Sequence, residues 1–196
     1  MNASAAPVGT PDRTGLLAEL AGLGEYFALA DGSGSEWQSL PDLFTDAELN
    51  DHVRRTREAM AIPATCRPTE IPIRVAASAF QLGVAARMLS PVIGAALCFD
   101  VIPVLDSTTV RWRPSTSHTP TFAVTSLRWM PAQPHVIASS VVALLVDLGS
   151  RLAVSTSLST QITTGNVASA ANGAVTVVGM SRPQLIPQGR ELVQAL

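Results

Sequence analysis

The feature that most constrains the fold of this chain is a run of small and apolar residues from Arg74 to Pro91, RVAASAFQLGVAARMLSP. The run follows Pro72, and proline suits the first turn of a helix better than its interior. We therefore predict a buried scaffold helix that begins after Pro72 and is ended or kinked at Pro91. The residues that follow, VIGAALC, predict a second short buried helix.

Two faces of this scaffold helix are predicted from spacing. Apolar residues at alternating steps of four and three predict a continuous core-facing seam, which consists of Val75, Ala79, Leu82, Ala86 and Leu89. A flank nearly free of side chains predicts the close approach of a neighbouring helix, and it consists of Ala76, Ala79, Gly83 and Ala86. The longest uninterrupted apolar runs, Val92 to Cys98 and Val141 to Val146, are shorter than the ~20 residues of a spanning helix, so we expect no membrane span.

The rest of the chain predicts more helices and one β-hairpin. After a flexible N-terminal tail of residues 1–14, helical spacing predicts a first helix to about Leu29, and a capping box at Thr45 to Glu48 predicts a polar helix to about Met60. A proline-rich loop covers 62–72, and further helices begin near Pro134, at Gly165 and near the C-terminus. The β-branched runs 108–114 and 121–130, each with an Arg-Trp pair, predict a hairpin. The expected fold is mainly α (α+β), a single helical domain over residues 15–196 with a small antiparallel β-hairpin or sheet.

Charge is spread unevenly along the chain. The net charge is -2, which excludes general nucleic-acid binding, and all 13 basic residues are arginines. Residues 1–106 hold 13 acidic residues and 7 arginines, a balance of -6, whereas residues 107–196 hold 2 acidic residues and 6 arginines, a balance of +4. A basic second half favours association with anions, and the alternative is chance clustering in a sparsely charged chain.

Three arginines of the predicted hairpin form the candidate ligand-binding site. Arg111 and Arg113 are two positions apart, so on a strand they share one face, with Trp112 on the other. Arg128 lies on the second predicted strand and joins that face if the hairpin register allows. Guanidinium groups bind carboxylate-like anions through paired hydrogen bonds, so this face is a candidate anion site. The alternative is a solvated outer face with Trp112 packed in the core.

Other constellations of catalytic or metal-binding residues are weak. His52, His118 and His135 lie far apart and lack the i, i+4 spacing of a zinc site, so we expect structural or solvated histidines. Cys66 and Cys98 have neither a disulfide-framework nor a metal-ligand spacing, and we interpret them as packing residues. The sequence contains no nucleophile-elbow or phosphate-loop motif, so no catalytic residue and no metal ligand is predicted.

Three segments nevertheless resemble one family. The segments 70–97 (EIPIRVAASAFQLGVAARMLSPVIGAAL), 110–114 (VRWRP) and 165–175 (GNVASAANGAV) are similar, in order and spacing, to actinobacterial FhuF-like ferric-siderophore reductases. The resemblance covers about residues 15–196. It implies a helical domain related to the C-terminal helical domain of siderophore synthetases, and one-electron release of iron from a ferric siderophore. It also implies an electron-donor protein as a partner.

The chain departs from that family at the redox centre. The resemblance implies a 2Fe-2S cluster held by a C-terminal Cys-Cys pair followed by Cys-x-x-Cys, and no cysteine follows Cys98 here. We therefore expect a cytoplasmic, redox-silent protein whose cluster segment is missing, through truncation or natural loss, and no cofactor is assigned to it. The alternative is a non-catalytic module that binds siderophores or another protein.

Overall fold

The computed structural model describes residues 13–115 and 119–196 and confirms the mainly α fold with a small sheet. The described α-helices are α1 (Arg13–Gly22), α2 (Leu40–Leu43), α3 (Asp46–Ala64), α4 (Ile73–Phe99), α5 (Pro134–Ile137), α6 (Ala143–Thr156), α7 (Thr160–Ser181) and α8 (Ile186–Gln194). Short 3₁₀ turns cover Pro68–Glu70 and Pro183–Leu185, and a π-helical turn, Ala138–Val142, joins α5 to α6. The described strands are β1 (Ala30–Asp31), β2 (Gln38–Ser39), β3 (Val101–Pro103), β4 (Val110–Arg113), β5 (Thr121–Val124) and β6 (Trp129–Pro131).

Helices α4 and α7 lie side by side in the core. Buried alanines of α7, Ala170, Ala171 and Ala174, allow the two backbones to approach closely. One polar contact sets their alignment, because Asn166 Nδ2 donates to Ser78 O at 3.0 Å and to Gln81 Oε1 at 2.6 Å. The predicted helix over 165–179 is confirmed and is part of the longer α7.

Helix α4 corrects two predictions. It continues through Pro91 to Phe99 as one helix, so the prediction of two helices is wrong. A proline costs about 3 kcal/mol inside a helix because it removes an N–H donor, but here every residue from Met88 to Leu97 is buried. The packing of these residues outweighs the lost bond, and the Ser90 hydroxyl donates to Ala86 O at 2.7 Å in the turn before Pro91.

The predicted core seam of α4 is also wrong, because Leu89 is the one fully buried residue of its five. Val75 and Leu82 are exposed at 41% and 37%, whereas Phe80, Val84 and Ala85 are fully buried. The helix is apolar on almost every side, so periodicity did not distinguish the core face. The small-residue flank contacts more than a helix, because a Cβ added at Gly83 would lie 2.6 Å from Thr119 Oγ1.

The predicted hairpin is confirmed for β4 and β5, but its second strand is shorter than predicted. β4 and β5 pair antiparallel, with Val110 opposite Val124 and Arg113 opposite Thr121, in a four-stranded sheet of order β1-β5-β4-β2. The second strand ends at Val124 rather than Met130. The chain then crosses to a separate two-stranded sheet, in which β6 pairs antiparallel with β3.

Three helix boundaries in the N-terminal half of the chain also differ from the prediction. α1 begins at Arg13, inside the predicted 1–14 tail whose residues 1–12 lie outside the described part, and it ends at Gly22 rather than near Leu29. Gly24 follows with a φ of 134°, a conformation that side chains disfavour, and the chain turns there. α3 begins after Thr45, whose hydroxyl accepts from Glu48 N–H as predicted, but it continues through Pro63 to Ala64, beyond the predicted end near Met60.

Two helical segments are long and apolar enough, by length and composition, to cross a membrane. They are Ile73–Phe99 and Pro134–Thr156, each with a mean hydropathy of 1.7. The core helices of soluble domains have the same properties, and 67% of the first segment's most apolar window is buried against 33% of the second. The expected absence of a membrane span stays a prediction.

Candidate functional site

β4 carries two of the three candidate arginines on its outer face. Trp112 points the other way and is fully buried, and its indole Nε1 donates to Ser39 O at 2.9 Å. Alternation along the strand then turns Arg111 and Arg113 away from the core. The predicted split of this segment into two faces is therefore confirmed.

Arg111 already has acceptors within the chain. Its Nη1 donates to Thr108 O at 2.9 Å and to Val110 O at 3.1 Å. Gly32 lies against its stem, since a Cβ built on that glycine would be 3.1 Å from Arg111 Cγ. The guanidinium is thereby held close to the sheet and contributes a fixed positive charge to this face.

Arg113 is the more accessible of the pair. Its guanidinium carbon lies 4.5 Å from the centroid of the Trp37 ring, a cation–π distance. The nearest carboxylate, Glu36, is 3.9 Å from Nη1, which is too long for a hydrogen bond. With 46% of its side chain exposed, Arg113 has N–H donors open to a ligand.

The structure does not bring Arg128 to this face. Arg128 lies between β5 and β6, outside the four-stranded sheet, and its carbonyl accepts from Val104 N–H at 2.9 Å. Its side chain is exposed. Arg128 was predicted to join Arg111 and Arg113 if the hairpin register allowed it. This condition is not met, because the strand predicted to carry Arg128 ends at Val124.

Sequence reasoning missed the two side chains closest to Arg113. Glu36 and Trp37 belong to the connection DGSGSEW (31–37), which was interpreted only as a flexible link. This connection crosses the outer face of the sheet, where Gly32 N–H donates to Val124 O at 2.9 Å. A tryptophan and a glutamate next to a glycine-rich turn were the available signal.

Of the described histidines, His52 is a packing residue and His135 is exposed. His52 is buried, stacks on Phe80 with centroids 5.1 Å apart, and contacts the edge of Trp112 at 5.5 Å. His135 is exposed in the first turn of α5, and His118 lies outside the described residues. Across residues 13–115 and 119–196, no group of three or more His, Cys, Asp or Glu side chains is placed to hold a metal ion.

The cysteines do not fit a 2Fe-2S cluster. Such a cluster takes four thiolates, and the chain has two cysteines, both free. Cys66 follows the end of α3, where its N–H donates to Ala61 O, whereas Cys98 lies in the last turn of α4. Burial raises the pKa of the Cys98 thiol, which favours the protonated form that does not bind iron.

Comparisons with protein-family models, curated proteins and solved structures give no match for this chain.

Proposed function

We propose that this protein binds ferric siderophores, as its resemblance to FhuF-like reductases implies, and that the ligand contacts Arg113 on the outer face of β4. The observation that carries the proposal is the half-exposed guanidinium of Arg113 above Trp37, beside the positive charge of Arg111. An iron chelate built from catecholates is anionic and presents oxygen acceptors and aromatic rings. Charge-assisted hydrogen bonds to the oxygens and stacking on the indole suit such a ligand.

The two arginines have different roles in this proposal. Arg113 donates directly to the ligand, which takes the place of the distant Glu36 carboxylate. Arg111 keeps its bonds to the Thr108 and Val110 carbonyls and adds long-range attraction. Arg128 is not included, because it lies outside this sheet.

The proposal covers binding and not iron reduction. The resemblance implies a cluster-dependent electron transfer, but the two cysteines of this chain do not supply the ligands. No redox step is therefore assigned to its residues, and an electron-donor partner remains an implication of the resemblance alone.

Calorimetric titration with a trianionic ferric tris-catecholate tests the proposal. We expect Arg113→Ala to weaken binding roughly tenfold, because one charge-assisted contact is worth about 1.5–3 kcal/mol. Arg128→Ala is the matched control and should bind as the unaltered protein does. An uncharged ferric trihydroxamate should bind more weakly and should respond less to the Arg113 change.

Two results would contradict the proposal. One is an Arg113→Ala protein with unchanged affinity, which would make this face a solvated surface. The other is an equal loss in the Arg128→Ala protein, which would mean that the chelate responds to overall charge rather than to this face.

A further inference from the structure

A cavity of about 530 Å³ lies between the turn after α1 and the paired helices α4 and α7. Its walls are mainly apolar, with Leu23 and Phe27 from the turn, Leu82 from α4 and Val177 from α7. The volume lies within the ~300–1,000 Å³ range of small-molecule sites, which are mostly apolar with a few polar groups. The arginines of β4 do not line it, so it is separate from the proposed siderophore face.

The floor of the cavity consists of residues with little or no side chain. These residues are Ala86 and Ser90 of α4 and Ser169, Ala170, Gly173 and Ala174 of α7. The Ser90 hydroxyl donates to Ala86 O at 2.7 Å, so its donor is satisfied within α4. Gly173 faces open space, because a Cβ built there meets no atom within 4 Å. The two helices therefore leave room for a ligand close to their backbones.

Two large side chains that line this cavity are incompletely buried. Tyr26 is 39% exposed and Leu82 is 37% exposed. A hydrocarbon ligand in the cavity would cover both of them, and the removal of apolar surface from water favours binding. The apolar lining therefore selects an apolar ligand body.

The charges at the rim of the cavity balance each other. Glu25 is the one charged residue among the described residues that line it, and its Oε1 lies 3.6 Å from Nη2 of Arg87, which does not line it. Arg87 also lies over the Tyr26 ring, with its guanidinium carbon 4.6 Å from the ring centroid. Glu25 would repel an anionic ligand, and Arg87 would repel a cationic one. An uncharged ligand avoids both penalties.

We propose that this cavity binds an uncharged hydrocarbon ligand of the long-chain alcohol type, with its chain on the floor at Gly173 and its polar end at the rim. The proposal is independent of siderophore binding, since it uses different residues and a different ligand chemistry. It also assigns a role to Leu82 and Ala86, which were predicted to face the core and instead line this space.

Tyr26 makes the test direct, because it is the one tyrosine in the sequence. 1-Decanol is added to the intact protein, and the Tyr26 ring resonances are followed by NMR. We expect saturable shifts with 1-decanol. Decanoate and decylammonium carry the same chain with a charge, and their dissociation constants should be roughly tenfold higher or more.

Two substitutions locate the site. Gly173→Leu places a side chain in the cavity, where its Cβ meets no atom within 4 Å, and should weaken 1-decanol binding roughly tenfold or more. Gly165→Leu is the matched control, because it adds the same side chain to open space on the same helix without lining the cavity. It should leave the affinity for 1-decanol unchanged.

A third substitution tests the selection by charge. Glu25→Gln removes the carboxylate and leaves the positive charge of Arg87 at the rim without this acidic partner. Decanoate should then bind nearly as well as 1-decanol does. The Glu25 side chain is 75% exposed, so the change should not disturb the fold.

Four results would overturn the proposal. The first two are the absence of Tyr26 shifts with 1-decanol and undiminished binding by the Gly173→Leu protein. The third is an equal loss of affinity in the Gly165→Leu protein, and the fourth is binding of decanoate or decylammonium to the unaltered protein as tight as that of 1-decanol. A Glu25→Gln protein that discriminates against decanoate as strongly as before would contradict the role given to Glu25.

Discussion

Helices α4 and α7 meet where α7 presents buried alanines, whereas the four-stranded sheet places a single very large side chain, Trp112, in the core. In the helical layer, small side chains allow close backbone approach, and Pro91 is accommodated within α4. In the sheet, Trp112 contacts His52, which in turn stacks on Phe80 of α4. Polar bonds such as those of Asp106 complete the turns.

This difference indicates that the two regions fail in different ways. We expect the helical layer to be sensitive to added volume where its residues are in close contact. The sheet is sensitive to the loss of one anchor and of the hydrogen bonds that shape its turns. Three predictions separate these behaviours.

The largest effect is expected at Trp112. Trp112→Ala should lower the free energy of unfolding by about 3–5 kcal/mol, since it leaves a cavity and removes the bond from the indole to Ser39 O. Trp37→Ala removes the same side chain from the outer face and should cost much less. Urea denaturation of both proteins measures the difference, and equal losses would show that Trp112 does not anchor the sheet.

Smaller changes in the free energy of unfolding, of opposite sign, are expected when a methyl group is added at Gly94 and at Gly173. In Gly94→Ala the new Cβ would lie 2.7 Å from Phe27 Cδ1, so overpacking should cost about 1–3 kcal/mol. Gly173→Ala faces open space and should stabilise the protein by about 0.5–1 kcal/mol through helix propensity. Thermal unfolding of the pair tests this, and the same sign at both sites would contradict it.

The smallest effect concerns Asp106 in the turn before β4. Burial would raise the pKa of Asp106, but bonds from the hydroxyls and N–H groups of Thr108 and Thr109 outweigh burial and lower it. A lowered pKa means that the stabilisation is full above the ordinary value of about 3.9 and is lost as the pH falls through the lower folded value. Asp106→Ala should therefore cost about 1 kcal/mol at neutral pH.

The pH dependence supplies the control for Asp106. The stabilities of the unaltered and Asp106→Ala proteins should converge in acid, as the folded-state carboxyl is protonated. A difference that stays constant from neutral pH into acid would indicate that the carboxylate charge does not stabilise the turn.

Local signals in the sequence predicted much of the fold. Thr45 marked the start of α3, Pro72 and Pro134 marked helix starts, and alternation around Trp112 distinguished the two faces of β4. These features depend on residues within a few positions of each other. Capping, proline geometry and strand alternation act at that range.

Features that depend on distant partners were not predictable in the same way. The exposed side of α4 is determined by where α7 and the turn at Tyr26 lie. Because α4 is apolar on almost every side, the periodicity of its sequence does not indicate which side is exposed. The end of β5 at Val124 depends on β3, because residues 129–131 pair with β3 in another sheet. The contact of Trp37 with Arg113 joins the connection between β1 and β2 to strand β4, which lies far away in the chain, so only the fold reveals it.

The pairing of β2 with β4 has a consequence for the order of folding. The bond from Trp112 to Ser39 spans 73 positions, whereas α3 and α4 are joined by a short connection. Closing a long loop costs entropy before any contact is gained, so we expect amide protection in pulse-labelled refolding to appear in α3 and α4 before β2 and β4. During synthesis, β2 leaves the ribosome long before β4 exists, so this part of the sheet cannot pair until the later strand has been made.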